Sequence, residues 1–93
     1  MKAGRKGANA EYKARRLLER LGYYVIRAAG SHGPADLVAI SQTELKVIQV
    51  KCGQARCSPL EREQLQLLPL PSIASREVWT FKDYARAPVV TRL

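Results

Sequence analysis

Pro34-Ala35-Asp36-Leu37-Val38-Ala39-Ile40-Ser41, followed after Gln42-Thr43-Glu44 by Leu45-Lys46-Val47-Ile48-Gln49-Val50-Lys51, is the stretch on which the fold turns. Residues 36–41 and 45–51 are aliphatic and β-branched, which predicts two strands. The short polar spacer between them predicts a hairpin. Each run is apolar at successive rather than alternate positions, so both strands are expected to be central and covered on both faces. Three polar residues break that pattern. Asp36 opens the first strand directly after Pro34-Ala35. Gln49 and Lys51 interrupt the second and, being two apart, point to the same face of the sheet.

Upstream, residues 8–21 read as a helix. Ala14, Leu17, Leu18 and Leu21 recur at the period of an amphipathic helix. Asn9 is placed as its N-cap and Gly22 as the glycine that ends it. Glu11 lies three residues before Ala14 and seven before Leu18. It therefore falls on the inner stripe, where a carboxylate needs a reason. Residues 23–28 (YYVIRA) predict a strand and 29–34 (AGSHGP) a loop.

Downstream, Ser58-Pro59-Leu60-Glu61 carries two helix-start signals: a capping box from Ser58 to Glu61, and proline at the first helical position. That helix is expected to run to about Leu68, before Pro69 and Pro71. Residues 76–82 (REVWTFK) predict a fourth strand. The remainder, 83–93, is the least determined region, with a short turn and an edge segment over Pro88–Arg92. The order α-β-β-β-α-β predicts one α/β domain over residues 1–93, a sheet flanked by helices, with 1–8 as a flexible basic arm.

Composition sets outer limits on function. The chain has 93 residues, 46% hydrophobic and 26% charged, which excludes a disordered chain. No apolar run approaches the ~20 residues needed to cross a bilayer. The basic N-terminus lacks the apolar stretch of a secretory signal. Two cysteines cannot replace a core, so a secreted disulfide scaffold is excluded. A domain this small buries only ~60–65% of the surface of its unfolded chain, so oligomerisation is expected. Sixteen Lys and Arg against eight Asp and Glu give a net charge of +8, which favours a polyanionic partner, nucleic acid before an anionic membrane. The membrane reading is disfavoured because the apolar stripe of the basic helix is committed to the core. Seven of the basic residues lie in the first twenty positions (Lys2, Arg5, Lys6, Lys13, Arg15, Arg16 and Arg20), and ten of the sixteen are Arg, which suits bidentate phosphate contacts.

Against that basic background the awkward polar residues stand out. Burying an unpaired polar or charged group costs several kcal/mol. Convergence of Glu11, Asp36, Gln49 and Lys51 in one cluster would offset the cost. Hard oxygen ligands with an ammonium beside them describe a Mg²⁺ site that also holds a phosphate.

Pro34-Ala35-Asp36, then twelve residues, then Gln49-Val50-Lys51 resembles the PD-(D/E)XK nuclease motif. Joined by Gly7, Glu11, Leu17-Leu18, Gly22-Tyr23, Val25, Arg27-Ala28-Ala29-Gly30-Ser31, Asp36-Leu37-Val38-Ala39 and Val47 to Lys51, it is similar to the archaeal-type Holliday junction resolvases over about residues 4–52. The resemblance implies a restriction-endonuclease-like core. It also implies a Mg²⁺-dependent, structure-specific endodeoxyribonuclease that resolves four-way DNA junctions by paired phosphodiester cuts. Glu11 and Asp36 would be metal ligands, and Gln49 stands where the family usually has Glu. Lys51 would orient the attacking water or neutralise developing charge. Ser31 matches a serine needed near the active site, and Arg27 a residue that contacts a backbone phosphate. The expected DNA contacts are Lys2, Arg5, Lys6, Arg27, Ser31 and His32. Mn²⁺ is expected to replace Mg²⁺, with no small-molecule cofactor, no membrane partner and a cytoplasmic setting. A two-fold junction needs two matched cuts, which a homodimer supplies.

Other readings stand beside this one. A Gln carbonyl can ligate Mg²⁺ but brings no negative charge, so metal should bind more weakly than at three carboxylates. That departure leaves open a non-catalytic DNA-binding protein. Another nuclease of the same superfamily, acting on nicked, flapped or duplex DNA, is open too. Taken singly, Glu11 reads as a first-turn acid favoured by the helix dipole, Asp36 as a turn residue and Lys51 as a strand-end charge reaching solvent. Cys52 and Cys57 have no further Cys and no close His to complete a zinc site, and read as reduced thiols. Tyr23, Tyr24, Trp79 and Phe81 read as core.

Overall fold

A computed structural model describes residues 2–28 and 33–93 of the chain, with side chains from Asn9 onward in that range. The elements are α1 (Lys2–Arg20), β1 (Tyr24–Arg27), β2 (Leu37–Ile40), β3 (Leu45–Cys52), α2 (Pro59–Gln66), β4 (Ala74–Phe81) and β5 (Val89–Arg92). The strands form one mixed sheet in the order β1-β2-β3-β4-β5. β1, β2 and β3 are antiparallel neighbours, β3 and β4 run parallel, and β5 returns antiparallel to β4. The parallel pair needs a crossover, and α2 lies on it.

The period-2 alternation of β3 assigns the two faces. Ile48 packs with Ala10, Ala14 and Leu18 of α1 and with Leu37, Ala39, Trp79 and Phe81. Its neighbour Val47 packs on the opposite side, with Leu65 of α2 and Val78. Thus α1 covers one face, while α2 covers the other over β3 and β4. Ser58 caps α2 through the predicted capping box, with Pro59 in the first turn. At the far end of α2, Arg76 of β4 donates to the carbonyls of Leu65 and Leu68 at 2.9 and 2.6 Å. This satisfies carbonyls that a helix C-terminus leaves open.

Three expectations are corrected. First, α1 begins at Lys2, so the stretch 2–8 expected as a flexible arm is helical and Asn9 is interior to the helix rather than its N-cap. Ala3, Ala8 and the Lys and Arg residues between them are good helix formers, and they offset the ~1 kcal/mol that Gly4 and Gly7 each cost. The other end matches expectation. Gly22 sits at φ +95, and Tyr23 N–H and Gly22 N–H close onto the carbonyls of Leu18 and Glu19, a Schellman ending. Second, β2 is covered on one face only. Tyr24, Ile26 and Ile40 are exposed because α2, eight residues long, reaches β3 and β4 but not β1 and β2. Third, for the same reason Tyr24 is no core residue, whereas Trp79 and Phe81 are buried and Tyr23 packs against them from the rim. The edge segment expected over Pro88–Arg92 is present as β5, antiparallel to β4 at the sheet edge.

One buried acid organises the far side of the sheet. Glu77 is 1% exposed on the same face as Trp79 and Phe81. Its carboxylate accepts from Lys46 Nζ at 2.7 Å, Trp79 Nε1 at 2.8 Å, Ser75 Oγ at 2.9 Å and Arg92 Nη2 at 3.4 Å. Lys46 belongs to β3 and Arg92 to β5, so the cluster ties three strands together. Burial alone would push the Glu77 carboxyl up, but the bonds from Lys46, Trp79 and Ser75 outweigh it and hold the group below the usual range. A carboxylate held low contributes stability above its unfolded value that is lost as pH falls through the lower native value. Glu77→Ala should therefore cost about 3–5 kcal/mol in denaturant unfolding, because it leaves Lys46 without its counter-charge. It should also flatten the acid limb of the stability profile. A loss under 1 kcal/mol would show that the cluster does not hold β3, β4 and β5.

Candidate active site

The register of the hairpin builds the site. Leu37 pairs with Ile48, so Asp36 lies opposite Gln49. Leu37 and Ile48 both face α1, which turns Asp36, Gln49 and Lys51 to the α2 side. The main chain locks the arrangement: Asp36 N–H donates to Ile48 O at 2.8 Å, and Asp36 Oδ2 accepts from Val50 N–H at 2.7 Å. Asp36 thus bonds to β3 through both backbone and side chain.

Gln49 is 4% exposed. Its Nε2 donates to the carbonyl of Pro34 at 3.1 Å. Pro34 offers only an acceptor there, which fixes which end of the amide is which. The opposite end, Oε1, is buried with no hydrogen-bond partner. An unsatisfied buried acceptor costs about 1–3 kcal/mol, and a cation ligated by that oxygen would remove the penalty.

Burial pushes the Asp36 carboxyl up from its usual range. The Val50 N–H and the Lys51 ammonium oppose the shift, while the charges of Glu11 and Glu61 add to it. Asp36 is therefore the point at which residues from α1, β3 and α2 act together. Glu11 acts on it from α1 through its charge alone. Its side chain is 26% exposed and pairs through Oε1 with Arg27 Nε at 3.2 Å. The inner-stripe reading of Glu11 is met in part: it sits at the rim, beside a cleft lined by Tyr12, Arg15, Arg27 and Leu37. Arg27 here holds a carboxylate of the site. Lys51 Nζ lies 3.0 Å from Glu61 Oε2.

The donor set suits a hard divalent cation. It offers two carboxylates and one carboxamide oxygen, all oxygen, with an ammonium alongside. Among the described residues no group of three or more His, Cys, Asp or Glu side chains is placed to hold a metal. Cys52 and Cys57 are free thiols that pack on opposite faces of the sheet and stay outside it.

Some sequence expectations lie elsewhere. Ser31 and His32 fall outside the described residues. Lys2, Arg5 and Lys6 are on α1, and their side chains are outside the described ones too. Two residues of consequence lie outside the sequence-derived cluster. The capping box accounts locally for Glu61, yet it follows Lys51 by ten positions and bonds its ammonium. Glu77 carries, in its spacing to Trp79 and Phe81, the same alternation signal that marks Gln49 and Lys51.

Comparison with known proteins bears on this arrangement. A family model described as archaeal Holliday junction resolvase (Hjc) matches residues 2–76. The chain is 34% identical over 80 residues to the crossover junction endodeoxyribonuclease Hjc of Methanocaldococcus jannaschii, covering 86% of this chain and 56% of that protein. It thus spans about half the length of this curated relative. The solved structure of Archaeoglobus fulgidus Hjc, a Holliday junction resolvase from an archaeal hyperthermophile, matches with a TM-score of 0.78 at 27% identity, over 94% of this chain and 72% of that one. The restriction-endonuclease-like core and the spacing of Asp36, Gln49 and Lys51 fit the same superfamily. With most of its length matched by the family model, this chain belongs to the archaeal Holliday junction resolvase family.

Proposed function

We propose that the chain is a divalent-metal-dependent endodeoxyribonuclease that resolves four-way DNA junctions, with Mg²⁺ as the metal and Mn²⁺ able to replace it. The observation that carries this reading is the buried, unpartnered Oε1 of Gln49 beside the anchored carboxylate of Asp36. Glu11, Asp36 and Gln49 would hold the cation, which supplies Lewis-acid polarisation of the scissile phosphate and a lowered pKa for an attacking water. The chain's own groups do the rest. Asp36 is kept in place by the Val50 N–H. Gln49 presents its carbonyl because Pro34 takes its amide nitrogen. Lys51 brings an ammonium to the same face, where negative charge grows in the transition state.

The rest of the surface supports DNA as the partner. Lys46, Arg76 and Arg92 serve strand or helix-end contacts and Arg27 and Lys51 pair with Glu11 and Glu61, while Arg15, Arg16, Arg20, Arg56, Arg62, Lys82 and Arg86 lie exposed on the surface. Phosphate contacts of this kind position a protein without reading bases and weaken steeply with salt. A homodimer is supported by the open apolar face at Tyr24, Ile26 and Ile40, which no described residue covers. Among the described residues no helix is long and apolar enough to cross a membrane.

The neutral charge of Gln49 is the specific observation that favours a second reading, a junction-binding protein without cleavage. Incubation of a labelled four-way junction with protein and Mg²⁺ or Mn²⁺ separates the two. Paired cuts are expected, with linear duplex of the same sequence cut far more slowly. Binding without cuts would establish the second reading, and equal cutting of linear duplex would remove junction resolution. Asp36→Ala and Lys51→Ala should each lower the cleavage rate by about 100-fold or more while junction binding persists. Either variant cutting at the wild-type rate would remove that residue from the site.

The strain at Asp36 makes a second, opposite prediction. A carboxyl raised in the native state favours folding when protonated, and that benefit is lost as pH rises through its native value. At neutral pH the metal-free protein therefore carries a destabilising charge. Asp36→Asn keeps an acceptor for Val50 N–H and removes the charge. It should raise Tm by a few degrees in chelator, since about 1 kcal/mol moves Tm by roughly 4–8 °C in a domain of this size. The same variant should lose cleavage. A lowered Tm in calorimetry would mean that the charge of Asp36 is not strained.

A further inference from the structure

Gln49 shares the strand face of Lys51 two residues away, and Glu61 approaches Lys51 from the first turn of α2. The ammonium bonds Glu61 at 3.0 Å, while Gln49 Oε1 is buried with no hydrogen-bond partner.

Glu61 is itself held in a fixed pose. Its Oε1 accepts from Ser58 N–H at 3.0 Å, and Ser58 Oγ accepts from Glu61 N–H at 3.1 Å. The capping box uses one carboxylate oxygen and leaves Oε2 to face β3. With side chains 20% and 34% exposed, the Lys51–Glu61 pair is worth at most about 1 kcal/mol to stability. Its interest lies in position. Capping alone does not demand a charge here, because Gln completes a capping box as well as Glu. Yet the charge reaches into the site, where Glu61 acts on Asp36 in the same sense as Glu11.

We infer that Glu61 is a positioning residue of the site: it fixes the ammonium of Lys51 at 3.0 Å and supplies, from α2, the third negative charge that Gln49 on β3 does not bring. The inference rests on the metal-dependent reading proposed above. With Glu61 counted, the site carries Glu11, Asp36 and Glu61 against Lys51. The helix has then taken over the electrostatic part of the missing strand carboxylate, while Gln49 retains the oxygen.

Glu61→Gln tests this cleanly, because it keeps the capping box and removes only the charge. The readout is Mn²⁺ affinity of the metal-free protein, measured by titration calorimetry without DNA, alongside kcat and KM for junction cleavage. Removing one negative charge close to the cation should weaken Mn²⁺ by about tenfold, and E61Q should lower kcat with KM unchanged. Glu63→Gln makes the same charge change at an exposed position of the same helix and should alter neither. Adding Gln49→Glu to E61Q should return Mn²⁺ affinity to the wild-type level or beyond. The inference is overturned if E61Q and E63Q shift affinity equally, or if Q49E fails to restore E61Q. A wild type that binds no Mn²⁺ would overturn the metal-dependent reading together with it. Binding by the wild type with E61Q unaffected would overturn the role of Glu61 alone.

Discussion

The register of β2 against β3 is the constraint on which everything else depends. Leu37 opposite Ile48 sends both side chains under α1, and by alternation sends Asp36, Gln49 and Lys51 to the other face. A slip of one residue would drive Asp36 into the apolar layer with Leu18 and Phe81, and bring Leu37 out of it. The register is held by more than pattern. Asp36 N–H bonds Ile48 O, Asp36 Oδ2 takes Val50 N–H, and Ser41 closes the hairpin by accepting from Thr43 and Glu44. The residue with the chemistry therefore also helps to set the alignment that the chemistry needs.

Two buried polar groups on the same sheet show how differently such groups can be settled. Glu77 has four donors on one carboxylate and is held ionised, so its burial ties β3, β4 and β5 together. Gln49 has one partner for its nitrogen and none for its oxygen, and Asp36 is pushed up by burial and by Glu11 and Glu61. Structural polar groups are satisfied within the chain. Those of the proposed site are satisfied only in part, in keeping with the ligand role proposed for them. Stability at one end of the sheet tolerates strain at the other.

Much of this was legible in the sequence because it rests on local signals. The hairpin, the alternation that pairs Gln49 with Lys51, the Ser58–Glu61 capping box and the ending at Gly22 are all set by residues within a few positions of one another. What was not legible depends on distances between elements. The reach of α2 decides that Ile40 and Tyr24 are exposed, and no periodicity within β1 or β2 reports it. The partner of Lys51 lies ten residues on, across a loop, and Glu61 already had a sufficient local explanation in the cap. Helix propensity misled at the N-terminus, where two glycines weighed more in the reading of residues 2–8 than in the helix itself. Arg27 illustrates the same limit. Its ion pair with Glu11 joins β1 to α1, and no pattern within β1 reports it.

The central claim is that Gln49 Oε1 is a metal ligand alongside Asp36 and Glu11, despite its lack of charge. Anomalous diffraction from crystals soaked in Mn²⁺ tests it most directly. One ion bonded to Gln49 Oε1 and to the carboxylates of Asp36 and Glu11 is the predicted result. An ion held by the carboxylates alone, with Gln49 Oε1 hydrogen-bonded to a protein donor instead, would contradict it.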